Sequence, residues 1–380
     1  MEDKKTNDDE HAAFNKRQFW PYQRLTGKKT RKLRNAQLGG KGGKGDTHKK
    51  TKIFHVINNK VVVDKDLRER LDSIYIPPGY KDLVVAKSSN NKIQAIGTDT
   101  KGRRQYIYNS KYTKKRNDRK YDSIMGLAKK INQIETDNEN AINTLVSKPY
   151  ATWKLPDDYI PIIIHMLRTY HFRIGNEKYL IENDSYGITT LKKEHIKFHP
   201  KGGKFTIEFI GKKGVLNSFT DDNRKMNKIL QELIKHSGDG FLFKYKNTND
   251  NSDNKGQMQL ITPEHIHNYF VSKYNEDISP KMFRTWYANL HLLDHLQKLY
   301  KEDKLKYRMT KQEINNVVNE IGEYVSSKLN NTPSVSKVSY IDNRILKYVM
   351  RNPYRFAEKI PENKEEKNKF LLKLIKELRM

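Results

Sequence analysis

The sequence predicts an α+β protein in which a small β-rich domain precedes a larger, mainly α-helical one. Two observations carry that reading. Apolar residues alternate with a period of two between about residues 52 and 115, then recur at helical spacing after residue 120. The chain also has 380 residues with 22 Tyr and 14 Phe, enough for two or three cored domains and too aromatic for a solvated polymer.

The elements follow in order. Residues 11 to 50 hold 12 Lys/Arg against a single acid, Asp46, and include the run Gly39-Gly40-Lys41-Gly42-Gly43-Lys44-Gly45. Residues 1–51 therefore read as a disordered basic arm. The glycines do not make a phosphate loop, because Lys44 is followed by Gly45 and not by Ser or Thr. Domain 52–118 is expected to hold strands at Ile53 to Ile57 and Val61 to Val63, joined by an Asn58-Asn59 turn. Further strands are expected at Val84 to Ala86, Ile93 to Ile96 and Tyr106 to Tyr108.

Domain 119–356 reads as helical. Ile124, Leu127, Ile131 and Ile134 form one stripe, and Met226, Ile229, Leu230, Leu233 and Ile234 form another. Thr310 and Glu313 make a capping box ahead of Ile314, Val317, Ile321 and Val325. A helix from about residue 336 is expected to run until Pro353. One β-hairpin interrupts: Phe205, Ile207 and Phe209 alternate with polar residues, and Gly211-Lys212-Lys213-Gly214 turns the chain into Val215 to Phe219. Residues 357–380 read as a charged C-terminal helix or tail.

A formal charge of +29 and a pI near 9.8 point to a polyanionic partner, with nucleic acid the starting expectation. The absence of cysteine excludes disulfides, Cys-ligated zinc, iron–sulfur clusters and thiol nucleophiles. No membrane role is expected, since the apolar run Ile162 to Leu167 is far short of the ~20 residues of a bilayer span. Lys101 to Tyr108 interleaves bases with aromatics, so Arg103 and Arg104 are candidates to grip phosphates, with Gln105, Tyr106 and Tyr108 laid against a groove. A solvated strand edge is the other reading.

Four segments hold residue types suited to phosphate chemistry: His171-Phe172-Arg173-Ile174-Gly175-Asn176, the Gly211 to Gly214 turn, Ser279 to Thr285, and Ser336 to Asp342. Val338, Ile341, Ile345 and Val349 form the expected buried stripe of the last helix, which leaves Tyr340 off the stripe, pointing away from the core.

In order, these segments resemble the type IB DNA topoisomerases over roughly residues 52 to 352. The likeness rests on Ile76-Pro77-Pro78-Gly79-Tyr80, Gln94 to Asp99, Gly102 to Tyr108, Arg173 through Gly187-Ile188-Thr189-Thr190-Leu191, and Thr332 to Tyr340. It implies a catalytic domain of the tyrosine recombinase/type IB topoisomerase kind. It also implies Arg173 and Arg284 as phosphate-binding residues, Lys212 as general acid and Tyr340 as nucleophile. Lys281, three residues before Arg284, reads as a candidate second proton or charge donor, and Lys213 and Lys337 as candidate DNA contacts. The family's histidine is replaced by Asn331, read either as a neutral donor in its place or as a residue that caps the next helix or shapes the turn before Pro333. The resemblance further implies a monomer that clamps DNA and relaxes supercoils through a 3′-phosphotyrosyl link, without ATP, cofactor or metal. It would act wherever DNA lies in a cell or virion, and the Lys, Asn, Ile and Tyr richness suits a large DNA virus. A tyrosine recombinase and a non-catalytic DNA-binding relative are the alternatives.

Overall fold

Eight residues inside the basic N-terminal segment form a strand at the centre of the first sheet. The computed structural model describes residues 18–26, 53–200, 203–248 and 254–379, and the chain divides into two units at residues 120 and 121. In the first unit β1 (Phe19–Thr26), β2 (Ile53–Ile57), β3 (Lys60–Val61), α1 (Lys65–Ser73), β4 (Lys81–Ala86), β5 (Ile93–Thr98) and β6 (Arg104–Tyr108) follow in sequence. The strands form one antiparallel sheet in the order β3-β2-β1-β4-β5-β6. Phe19 to Pro21 pair with β4, and Tyr22 to Thr26 pair with β2, ending on Thr26 opposite Ile53. The reading of residues 1–51 as one disordered arm is therefore corrected at 19–26. Trp20, Tyr22 and Leu25 supply the apolar side chains of a strand, and Tyr22 joins Leu71, Ile74, Ile76, Val85 and Ala95 in the core. The surrounding lysines mask that signal in any long composition window. The rest of the arm lies outside the described residues.

Helix α1 was not anticipated. Asp64 caps it by accepting from the Leu67 amide at 2.7 Å, and only Leu71 on it is fully buried.

Helix α2 (Ser110–Ser123) carries the chain into the second unit. There, α3 (Met125–Ser147) buries Leu127, Ile131, Ile134, Ile142 and Leu145, and α4 (Tyr159–Thr169) is buried from Tyr159 to Arg168. After α5 (Glu177–Asn183) come β7 (Ile196–Phe198), β8 (Phe205–Gly211) and β9 (Val215–Asp221), a three-stranded antiparallel sheet whose β8–β9 hairpin matches the expected one. The remaining elements are α6 (Arg224–His236), β10 (Lys244–Lys246), β11 (Met258–Leu260), α7 (Pro263–Tyr274), α8 (Pro280–Lys301), α9 (Lys311–Leu329), α10 (Pro333–Ser339), α11 (Asn343–Val349), α12 (Pro353–Ala357) and α13 (Lys364–Glu377). The capping box at α9 is present: Glu313 accepts from the Thr310 amide at 2.7 Å and Thr310 from the Glu313 amide at 3.2 Å.

Helix α8 is the central post of this unit, with fourteen buried residues. Helix α13 packs into the same core through Leu371, Leu374 and Ile375, and its Asn368 accepts from the Trp286 indole at 3.1 Å. The single helix expected from about 336 to Pro353 is corrected to two, broken at Tyr340 to Asp342.

Candidate active site

The site is built where four segments of the helical unit converge. The first follows α4. His171 takes a left-handed backbone (φ 53°), Phe172 is fully buried, and Arg173 leaves on an extended stretch. That stretch is pinned to the turn at Gly187: the Ile188 amide donates to the Arg173 carbonyl at 3.0 Å, and the Thr189 amide to the Ile174 carbonyl at 2.9 Å. Gly175 and Gly187 make this crossing possible, because a Cβ on Gly187 would lie 2.6 Å from the Gly175 Cα and 2.8 Å from the Arg173 carbonyl oxygen. The glycines of the two sequence motifs thus fix the backbone that carries Arg173.

Arg284 lies in the second turn of α8 and is 2 % exposed. One of its terminal nitrogens donates to the His171 carbonyl and the other to the Leu329 carbonyl at 2.8 Å. Its remaining partner is the Tyr340 side chain, so among the described residues no carboxylate is seen to neutralise its positive charge. Burial pushes its pKa down to about 10, which leaves it charged near neutrality. Its guanidinium carbon lies 5.1 Å from the centre of the Tyr340 ring.

Tyr340 ends α10 with φ −130°. Asn289, buried on α8, bridges the break: its amide donates to the Tyr340 carbonyl at 3.1 Å, and its oxygen accepts from the Asp342 amide at 2.9 Å. The Tyr121 hydroxyl donates to the Ile341 carbonyl at 2.5 Å. The expectation that Tyr340 points away from the core is corrected, since it is 7 % exposed while Val338 is 62 % exposed. The helix break rotates the two positions relative to a continuous helix. Burial alone raises the phenol's pKa, but the charges of Arg284, Arg173 and Lys281 and a hydrogen bond from Arg284 outweigh it, and the net shift is downward. A phenol that loses its proton more easily is a better nucleophile.

Lys212 sits at the hairpin tip, exposed, with its ammonium 5.8 Å from the centre of the Tyr179 ring. Partial loss of solvent and the charges of Arg173, Lys213 and Lys281 lower its pKa. Lys213 supplies the left-handed corner of the turn (φ 67°). Lys281, exposed on the first turn of α8, is felt electrostatically by both Tyr340 and Lys212.

Asn331 is joined directly to this group. Its Oδ1 accepts from Arg173 at 2.5 Å, which directs its Nδ2 elsewhere, and that buried Nδ2 has no hydrogen-bond partner among the described residues. Asn331 is not the cap of the next helix: Asn330 closes α9 in a left-handed conformation and Thr332 caps α10 by accepting from the Val335 amide at 3.3 Å, while the Asn331 backbone amide donates to the Ser326 carbonyl at 3.0 Å within the turn. Lys337 is instead drawn onto α9: its ammonium donates to Asn319 at 2.8 Å, and its stem covers Gly322.

The remaining predicted contacts belong to the first unit. Arg103 and Gln105 both donate to Asp99 Oδ2, at 2.8 and 2.9 Å, so Asp99 organises the turn into β6. Arg104 lies over the Tyr106 ring at 5.9 Å, and Tyr108 stacks on Tyr112 with Arg116 5.3 Å from its ring centre. β6 is an edge strand, so the basic–aromatic segment and the strand edge are one surface.

Sequence reasoning placed His171 in a candidate segment without giving it a role, and missed Asn289. A polar Asn inside the mostly apolar stretch Trp286 to Leu293 was the available signal for Asn289, and no local pattern marks the partner of His171.

The family model for the catalytic core of eukaryotic DNA topoisomerase I matches residues 109–367, and that for the N-terminal domain of bacterial DNA topoisomerase IB matches residues 54–99. DNA topoisomerase 1B of Acanthamoeba polyphaga mimivirus is 30 % identical over 86 % of this chain and 91 % of its own length. DNA topoisomerase 1B of vaccinia virus is 30 % identical over 52 % of this chain and 62 % of its own, and DNA topoisomerase 1 of rabbit fibroma virus is 25 % identical over 78 % and 90 %. With both units matched in order by these family models, and the mimivirus relative alike over most of both chains, the chain belongs to the type IB DNA topoisomerases, as an enzyme.

Proposed function

We propose that this enzyme relaxes supercoiled duplex DNA as a monomer, by cutting one strand through Tyr340, letting it rotate and resealing it. The observation that carries the reading is Tyr340 set against an uncompensated Arg284 and acidified by three cations. In the forward step the Tyr340 oxygen bonds to phosphorus and gives up its proton to solvent. The bond from phosphorus to the 5′-oxygen breaks, and Lys212 supplies the proton that the departing oxygen needs. Arg173 and Arg284 absorb the charge growing on the nonbridging oxygens, which is the task otherwise given to a metal ion. The unpartnered Asn331 amide adds a neutral donor. The 3′-phosphotyrosyl link conserves the phosphodiester's energy, so resealing reverses the same steps without ATP.

The test is direct. The parent protein should relax positively and negatively supercoiled plasmid in EDTA without nucleotide and leave a denaturant-stable DNA adduct. Tyr340→Phe should bind DNA and form none. A strict need for Mg²⁺ or ATP would overturn the proposal, as would an adduct in the variant. Strand exchange between two duplexes would favour a recombinase.

A further inference from the structure

Behind the two arginines lies a polar chain that the mechanism above does not use. The side chains of Arg284, Tyr287, His291 and Asp294 follow at spacings of three, four and three along α8 and therefore form one stripe. That stripe holds residue 171 from both sides. Arg284 donates to the His171 carbonyl, while His291 Nε2 meets His171 Nε2 at 2.8 Å, and the Tyr287 ring lies against the His171 ring with centres 4.9 Å apart. His171 Nδ1 faces the Leu167 carbonyl at 3.4 Å, and His291 Nδ1 faces Asp294 at 3.5 Å. Asp294 is held in turn by Lys367 at 2.6 Å.

We infer that His171 and His291 are positioning residues: their imidazole–imidazole hydrogen bond locks residue 171 in its left-handed conformation, so that its carbonyl orients Arg284 and the chain beyond it presents Arg173. This inference rests on the function proposed above and explains how both arginines share one reference point. Residue 171 stands two positions before Arg173 and directly accepts from Arg284, so a rotation of its backbone displaces both forks at once. Simple packing would not require imidazoles here, because a buried His–His pair loses solvation that an aliphatic pair does not. That loss, with the nearby charges of His291, Arg284 and Lys328, holds the His171 imidazole well below its ordinary pKa and therefore neutral, so the pair is a directional bond and not two repelling cations.

Three measurements on the full-length protein test this. His291→Leu removes the bond and keeps the bulk. Its single-turnover cleavage rate at saturating DNA should fall at least about tenfold, as expected for displaced catalytic groups, with DNA affinity unchanged. His291→Gln, whose amide can donate to His171, should restore most of the rate. On a substrate with a neutral methylphosphonate at the cleaved position there is no phosphate charge for the arginines to absorb, so the His291→Leu defect should shrink there.

A parental rate in His291→Leu overturns the inference, as does a defect of equal size on the neutral linkage. Should His291→Leu fail to fold, the parent decides the matter. In ¹⁵N-histidine-labelled protein a scalar coupling across the two Nε2 atoms is expected, and its absence refutes the pair. If the parent itself forms no adduct, the functional reading fails, and the coupling still reports separately on the hydrogen bond.

Discussion

At Asn331 a single amide does two things that a protonated imidazole cannot combine. It accepts from Arg173 and still presents a buried donor with no partner among the described residues. A neutral donor to a nonbridging oxygen is weaker than a charged one, yet it is aimed and costs no reorganisation. Asn331→Ala should therefore lose about tenfold or more in cleavage rate with DNA binding intact, as measured in a single turnover. Asn331→His should retain activity. A parental rate in the alanine variant would leave Asn331 with no catalytic role.

Lys212 is tested by pH. Its pKa is lowered, and so is that of Tyr340. Cleavage should rise with pH as the Tyr340 phenol ionises, then fall as Lys212 loses the proton it must donate, and this fall should begin below the ordinary lysine range near ~10.4. A 5′-bridging sulfur leaves as a thiolate and needs no proton. On that substrate the falling limb should vanish and Lys212→Ala should recover, while Lys213→Ala serves as the control. Failure of the sulfur to rescue would remove Lys212 from the role of acid.

Among the elements, the glycine crossing and the helix break do the most to shape the site. Gly187 has an extended backbone that any residue tolerates, so the constraint there is space. A methyl group at 187 must push the Gly175 backbone and the Arg173 carbonyl away. Gly187→Ala should cost about 1–3 kcal/mol of stability from overpacking, and it should slow cleavage by more than that loss explains, because Arg173 moves with it. Gly238→Ala, where a Cβ meets nothing within 4 Å, should be silent. Urea unfolding and single-turnover cleavage of both variants settle the comparison.

These two elements also mark how far sequence carries. The hairpin with Lys212, the capping box and the apolar stripes of α3 and α6 are local patterns, and local patterns can be read from a chain. The position of Tyr340 could not be, because helical periodicity was extended across a break held by Asn289 and Tyr121, which lie 51 and 220 residues away. Long-range hydrogen bonds leave no local period. The same limit hid the partner of His171, which stands 120 residues further on.

Over the whole molecule, the pairing of β1 with β2 reassigns where the excess positive charge lies. Residues 1–17 contain four Lys/Arg and five acids and so are close to neutral, whereas residues 27–52 contain ten Lys/Arg and one acid, a net +9. That basic stretch leaves from Thr26 and returns at Ile53, which are direct cross-strand partners, so it spans no distance within the fold. Deleting residues 1–50, the obvious way to remove an arm, would also remove the central strand and the Tyr22 contribution to the core. Replacing 27–52 with Asn-Gly, which suits a two-residue hairpin, should instead keep the sheet intact. Each phosphate that the stretch neutralises contributes about −0.9 to the log–log dependence of DNA affinity on salt. The replacement should therefore weaken binding at low salt and flatten that slope by at least about two, while the covalent step on saturated DNA stays near the parental rate. Affinity titrations from low to moderate salt measure it, with circular dichroism confirming the sheet. An unchanged slope would mean that the net +9 of this stretch does not meet DNA at all, and that the affinity resides in the folded units alone.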